Sequence, residues 1–363
     1  MSGLKVSVID SMDAFKELRT AWSSLLSDSR SNTIFLTWEW LYSWAETYMN
    51  RERQLFILAI YDDKDELRGL APWYIQNSRS SCLAAREIHF LGTPNAGSDY
   101  VDLIIKKGQE QNVTLCIYNF LLKEGSPHWD YCLLNDVPAT SLFLLHFLNK
   151  TQDDGKYAEI RPASYCPIVP LRKSSEDFFA MLSPNRRQQF RRHLRLLQKK
   201  AAIEHFSCNG MYSGSDLDDF FKLYSEKNEH YDSTVYSFMT AFSSKFSETS
   251  PIQIDLLRAD GRTIAGLFHI RHLDTLYMYL MAVDKEYDSG ISIGNILVGM
   301  CISKAIDNGF NTYDFLKGIE PYKFHWAEAG NVSLTLFFPQ RKIIPWFIAV
   351  NNFVKAAVKV AWR

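Results

Sequence analysis

The sequence is short of the features that announce the commoner chemistries. Its six cysteines, Cys82, Cys116, Cys132, Cys166, Cys208 and Cys301, are scattered singly, with no CxxC pair and no histidine at ligand spacing. No metal site or disulfide framework is therefore expected, and free thiols in a reducing compartment are. No stretch approaches the about 20 apolar residues of a membrane span. The opening MSGLKVSVID lacks the apolar core of a secretory signal, so a cytoplasmic location is expected. Excess charge of one sign is missing too. The 40 Lys+Arg against 41 Asp+Glu exclude a uniformly basic nucleic-acid binder, and no DNA partner is expected. Neither of the phosphate-loop patterns GxGxxG and GxxxxGKS/T occurs.

What is present is a folded chain. With 363 residues, 47% of them apolar, it fits two globular domains of ordinary size. In the first half, Leu4 to Ile9 alternates as a strand, and helices are expected after Ser11 and from Thr37. Gln54 to Tyr61 and Leu67 to Ile75 read as a hairpin around Asp62-Asp63-Lys64-Asp65. A strand at Val101 to Ile105, a helix at Glu110 to Leu122, a strand at Tyr131 to Leu134 and a helix at Ser141 to Leu148 follow. The order is α+β with local antiparallel pairing.

Pro162, Pro167 and Pro170 forbid regular helix, and the domain boundary is placed there: 1–162, 163–338, and a basic tail 339–363. Beyond the prolines come a helix at Pro184 to Lys200, a strand at Ala202 to Ser207, and helices at 216–229 and 234–247. Three strands, Ile252–Arg258, Thr263–Arg271 and Thr275–Asp284, precede a helix from about Gly294 to Asn308 and a strand at Asn311–Leu316.

The densest stretch is Leu276 to Trp326. A strand runs through a turn into Ser292-Ile293-Gly294-Asn295, where small residues open a helix. Open N–H groups and the helix dipole suit a phosphate there; a loop that needs glycine for its backbone angle is the equal alternative. YDFLKG (313–318) then leads to EPYKFHW (320–326). Tyr322 and Lys323, side by side where a strand ends, fit either proton donation and anion holding or a structural tyrosine beside a solvated lysine.

The order strand–VDKEY–SIGNIL–helix–YDFLKG–EPYKFHW resembles the GNAT acyltransferase superfamily. Within it, the chain is similar to the branch of CelD-type cellulose-biosynthesis proteins and FemAB-type peptidyltransferases. LGTPNAGSDYVDLI, residues 91–104, resembles that branch's G…sDY stretch, and the likeness runs over roughly residues 5–335.

The resemblance implies two tandem GNAT-like domains, each a mixed, mostly antiparallel sheet flanked by helices, the first without a cofactor loop. It implies that the strand Leu276–Asp284 splays from its neighbour and that the pantetheine of acetyl-CoA or another acyl-CoA runs along Met281, Ala282 and Val283. The pyrophosphate would lie over the loop carrying Ser289, Gly290, Ser292, Gly294 and Asn295, although YDSGISIG departs from the usual (Q/R)xxGxG/A. The chemistry implied is direct acyl transfer to an amine or hydroxyl, with main-chain N–H groups polarising the thioester. Tyr322 is the candidate acid, Lys323 the acceptor-positioning group, and Asp99 a candidate base; a turn-stabilising role for Asp99 is equally open.

Two basic segments remain. Residues 184–200 hold seven basic residues and no acid: Phe190, Leu194 and Leu197 form a stripe, flanked by Arg187, Arg191, Arg195 and Lys199. This is either a solvated amphipathic helix or a surface for a phosphate-bearing partner: an acyl carrier protein, a tRNA acceptor stem or a nucleotide-linked sugar. The tail, with five basic residues from Ala329 onward, either lies in a membrane interface, making the protein peripheral to the inner face, or packs on the body. His269 and His272, three apart in a strand, face opposite sides and cannot share a metal. The rivals to an acyl-CoA-dependent enzyme are a FemAB-like aminoacyl-tRNA-dependent transferase and a non-enzymatic scaffold for polysaccharide machinery.

Overall fold

The computed structural model describes residues 3–80, 83–210, 214–228, 231–246 and 250–340. Contacts divide the chain into two compact units: Met1–Ala163 together with Val332–Arg363, and Ser164–Asn331.

The first unit begins with β1 (Lys5–Ile9), α1 (Met12–Glu17), α2 (Arg19–Ser27) and α3 (Trp38–Tyr48). The Ser11 and Thr37 hydroxyls cap α1 and α3 by accepting from the Ala14 and Trp40 amides. Each arm of the expected hairpin is cut in two. Phe56 separates β2 (Arg53–Leu55) from β3 (Ile57–Tyr61), and Pro72 separates β4 (Leu67–Ala71) from β5 (Trp73–Ser80). β3 and β4 pair in a sheet ordered β1-β3-β4 and closed by residues 104–105, while β2 and β5 pair in another. Proline, which has no N–H, ends one ladder and lets the chain change sheets.

After β6 (Leu83–Phe90) and β7 (Ile104–Ile105) come α4 (Glu110–Leu122), β8 (Tyr131–Pro138) and α5 (Leu142–Asp153). Trp22, Trp40, Trp44, Trp73 and Trp129 are all fully buried in this unit. That concentration of aromatic area explains how short strands and helices hold together.

The prolines at the boundary exclude helix but not strand. They lie within one strand, β9 (Glu159–Pro170), whose end pairs antiparallel with Thr312–Asp314. The carbonyls of Tyr165 and Pro167 accept from Gly318 and Phe315, so the ladder draws on β9's acceptors and needs no proline donor there.

The second unit continues with α6 (Ser175–Met181), α7 (Pro184–Lys200), β10 (Ile203–Asn209), α8 (Gly214–Lys227) and α9 (Thr234–Ser243). β11 (Ile252–Ala259), β12 (Arg262–His272), β13 (Thr275–Val283), α10 (Ile293–Asp307) and β14 (Thr312–Asp314) complete it. Its strands are ordered β10-β11-β12-β13-β14-β9, antiparallel except for β13 and β14, which α10 connects as a crossover. One face packs on α10, with Leu257, Leu267, Leu276, Met278 and Tyr313 in its core. The opposite face carries Gly266 and Phe268 against Phe220 of α8.

The final strand, β15 (Ala329–Pro339), corrects the assignment of residues up to 338 to the second domain. From Ser333 onward it pairs antiparallel with β8 of the first unit. Residues 341–363, with all five basic residues of the tail, lie outside the described residues.

Candidate active site

β13 parts from its parallel neighbour early. Pairing with β14 covers only Thr275–Tyr277 opposite Thr312–Asp314, and no other strand takes up that edge among the described residues. On its other side β13 stays paired with β12 to Val283, with a bulge that leaves Tyr279 without an opposite residue. The Asp284 amide donates to Ile264 O at 2.9 Å, which fixes the alternation of the ladder. Met281 and Val283 therefore direct their N–H and C=O groups to the open edge, whereas Ala282 directs its own at β12. Of Met281, Ala282 and Val283, the first and third thus present main-chain groups to the unpaired edge and the second does not.

Asp284, almost fully buried, anchors the end of the strand. Lys227 Nζ lies 3.0 Å from its Oδ1, and Arg262 pairs with Oδ2. Burial is the largest single influence and opposes ionisation, but the Lys227 hydrogen bond, the Glu286 amide and the Lys227 and Arg262 charges together outweigh it and the pKa is lowered.

The loop to α10 is partly self-satisfied. Asp288 Oδ1 accepts from the Gly290 amide at 2.8 Å, and Oδ2 pairs with Lys200 of α7 at 2.8 Å. The Lys200 contact, then the Gly290 bond, hold the Asp288 carboxyl below its usual range. Gly290 thus spends its N–H on a carboxylate, and Ser289 is exposed. The Ser292 amide donates to His193 Nδ1 of α7 at 3.2 Å.

The start of α10 is different. Ser141, Ser174 and Ser183 cap α5, α6 and α7 with their hydroxyls, as Ser11 and Thr37 do earlier. At α10 the Ser292 side chain makes no such bond; its Oγ accepts from Asn295 Nδ2 at 3.0 Å. Asn295 Oδ1 in turn accepts from Trp326 Nε1 at 3.3 Å. The side chains of Ser292 and Asn295 are thereby committed to tying the loop to EPYKFHW. What the helix start keeps for an anion is main chain, the amides of its first turn at Gly294 and Asn295. Gly294 closes the gap to the strand: a Cβ there would stand 3.2 Å from Val283 Cγ2 and 3.6 Å from Met281 Sδ. Gly299, one and a half turns on, is required by packing, since a Cβ would overlap the Phe190 ring and lie 2.7 Å from Trp326 Cη2.

Lys323 is not solvated. It is 3% exposed, and its Nζ donates to Lys317 O at 2.6 Å and Leu316 O at 3.3 Å and pairs with Glu320 Oε2 at 3.0 Å. Three donors meet three acceptors. The turn it holds contains Leu316 at φ 55° and Gly318 at φ 125°, left-handed backbone that a side chain tolerates poorly. Tyr322 packs by its ring near Phe315 at 6.3 Å, and burial first, then Glu320, raises its pKa, so the phenol keeps its proton. Asp99 belongs to the first unit and has no exposed surface.

On α7, Leu197 is buried and Phe190 and Leu194 pack against the core. Arg191, Arg192, Arg195 and Lys199 lie along its outer side with no ion pair among the described residues. His193 was not anticipated. It sits beside Phe190, Leu194 and Leu197 at helical spacing, and that position on the inward face was its one legible signal.

Residues 184–324 match the family model of the acetyltransferase (GNAT) domain. The match spans β13, the loop, α10 and Tyr322-Lys323, so the open edge of β13 lies inside it. Among solved structures, FemX aligns with TM-score 0.61 and 10% identity over 94% of this chain and 99% of its own. L-PGS from Bacillus licheniformis aligns with TM-score 0.53 and 11% identity over 92% and 96%. A conserved protein from Bacteroides thetaiotaomicron gives 0.52 and 11% over 92% and 100%. The fold is α+β, and the match to the GNAT model lies within the second unit. No curated protein matches the chain. No helix among the described residues is long and apolar enough to cross a membrane.

Proposed function

We propose that the chain is an acyl-CoA-dependent transferase that moves an acyl group, acetyl in the simplest case, to an amine or hydroxyl of a sugar, amino acid or envelope precursor. The observation that carries this reading is the open edge of β13 at Met281 and Val283 meeting the uncapped first turn of α10 at Gly294. A pantetheine amide chain would complete the ladder that β14 leaves off, and a pyrophosphate would take the Gly294 and Asn295 amides. Lys200, paired to Asp288 of this loop at 2.8 Å, is a positive charge at the same loop that could serve that group. A main-chain N–H at the edge would polarise the thioester carbonyl while the acceptor attacks it. The leaving thiolate takes a proton, and Tyr322, kept protonated by burial, is the proposed donor.

Hydrogen exchange tests the placement. Acetyl-CoA should slow the amides of Met281, Val283, Gly294 and Asn295 and leave that of Ala282, already directed at β12, unchanged. Equal protection of all five, or of none, counts against it.

A second reading, aminoacyl-tRNA-dependent transfer of the FemAB kind, is favoured by one feature, the outer side of α7. Arg191, Arg192, Arg195 and Lys199 without ion pairs suit a phosphate backbone or an acidic carrier protein. Binding of tRNA that weakens steeply with salt, together with indifference to CoA, would favour it over the first. The tail 339–363 is proposed as a peripheral membrane contact; unchanged sedimentation with anionic vesicles after removal of residues 340–363 would reject that.

A further inference from the structure

Beneath α10, on the sheet face opposite α8, the second unit buries polar groups that acyl transfer does not use. Antiparallel pairing sets Ser207 opposite Asp255 and Gln253 opposite His269, so His205, Asp255 and His269 share one face. Cys301 comes down onto that face from α10. His205 Nε2 lies 3.0 Å from Asp255 Oδ1 and 3.9 Å from Cys301 Sγ, and the three ligand atoms are all within 4.8 Å of one another. Asp255 and Cys301 have no exposed surface, and the His205 side chain keeps 18%.

We propose that His205 Nε2, Asp255 Oδ1 and Cys301 Sγ form a site for a borderline-soft divalent cation of the zinc type, clamping α10 to β10 and β11. Thiolate, imidazole and carboxylate together select such an ion over calcium or magnesium. Tetrahedral zinc with bonds of about 2.0 Å to nitrogen and oxygen and about 2.3 Å to sulfur sets N···O near about 3.3 Å and N···S near about 3.6 Å. The observed 3.0 and 3.9 Å are within a few tenths of an ångström of that.

The surrounding groups complete a supporting layer. Asp255 Oδ2 is 3.0 Å from His269 Nδ1 and accepts from Gln253 Nε2 at 2.9 Å, while His269 Nε2 lies 2.8 Å from the Tyr313 hydroxyl. A carboxylate ligand whose second oxygen is held in this way is pre-aimed. Binding replaces the Cys301 thiol proton, which leaves to solvent, so affinity rises with pH. Three protein ligands leave one position for water on the side where His205 reaches the surface. Residues 205, 255 and 301 are far apart in the chain, so no spacing motif could reveal the site.

Cobalt titration tests this without any reference to CoA or acyl transfer. The full chain, stripped with a chelator, should bind one equivalent of Co²⁺ with a near-ultraviolet thiolate-to-cobalt band and tetrahedral d–d bands, both erased by Zn²⁺. Cys301→Ser and Cys301→Ala, each checked for native circular dichroism, should lose the thiolate band. His269→Gln should weaken affinity by about tenfold or more through Asp255. Absence of the band in the wild-type chain, or its survival in either folded Cys301 variant, overturns the proposal.

Discussion

Replacing Lys323 by methionine separates a structural role from a chemical one. The substitution keeps the stem and removes the ammonium that satisfies Lys317 O, Leu316 O and Glu320. A hydrogen bond from a charged donor contributes about 1.5–3 kcal/mol, and a buried acceptor left alone costs about 1–3 kcal/mol. Glu320 is 54% exposed, so its share is below about 1 kcal/mol. Relief of the ammonium's own desolvation offsets part of the loss, leaving a net of about 2–4 kcal/mol. For a unit of this size that is a fall in Tm of about 5–12 °C. Thermal unfolding followed by circular dichroism measures it, and hydrogen exchange should show residues 316–320 opening first. An unchanged Tm with lost turnover would refute the reasoning and return Lys323 to the acceptor.

Gly299→Ala should lower stability by about 1–3 kcal/mol, because its methyl meets Phe190 and Trp326; denaturant melts that superimpose on wild type would contradict this. Tyr322→Phe should slow thioester consumption by about a hundredfold with acetyl-CoA affinity intact, read as free thiol released in the presence of an acceptor panel. Asp102, buried in the first unit, has its pKa pushed up to about 7, chiefly by burial, against opposing hydrogen bonds from Ser141, the Leu103 amide and Ser31. Its unfolded value is about 4, so the native state holds the extra proton between the two, and stability falls as pH rises from about 4 to about 7. His272, lowered to about 4 by burial, works in the opposite sense over much of that window. The readout is therefore the difference between wild type and Asp102→Asn, which should change by a few kcal/mol from pH 4 to 7; a flat difference refutes it.

What the sequence shows and hides follows from where the determining contact lies. The stripe Phe190, Leu194, Leu197 predicts α7 because its periodicity is local, and the alternation in Leu4–Ile9 predicts β1. The prolines of β9 exclude helix without revealing the strand, because their effect on a strand depends on which neighbour needs a donor, a tertiary fact. Phe56 and Pro72 hide the change of sheet for the same reason. In the site, the splay of β13 and the helix start fall where the GNAT resemblance implies. The partners of Lys323 do not, because Leu316, Lys317 and Glu320 turn back on it through left-handed backbone. His193 on Ser292 and the trio His205, Asp255, Cys301 join residues about 50 to 100 positions apart, beyond the reach of any local pattern.

The central claim is that a CoA thioester lies along β13 with its pyrophosphate on the first turn of α10. Calorimetric titration of acetyl-CoA into the wild-type chain and into Gly294→Asp tests it most directly. The aspartate would set a carboxylate at the amides the pyrophosphate needs and crowd Val283, 3.2 Å from the new Cβ. The account predicts saturable one-to-one binding to the wild type and a loss of at least about tenfold in affinity for the variant, with its Co²⁺ thiolate band unchanged. No heat with the wild type, or equal affinity for both chains, would contradict it.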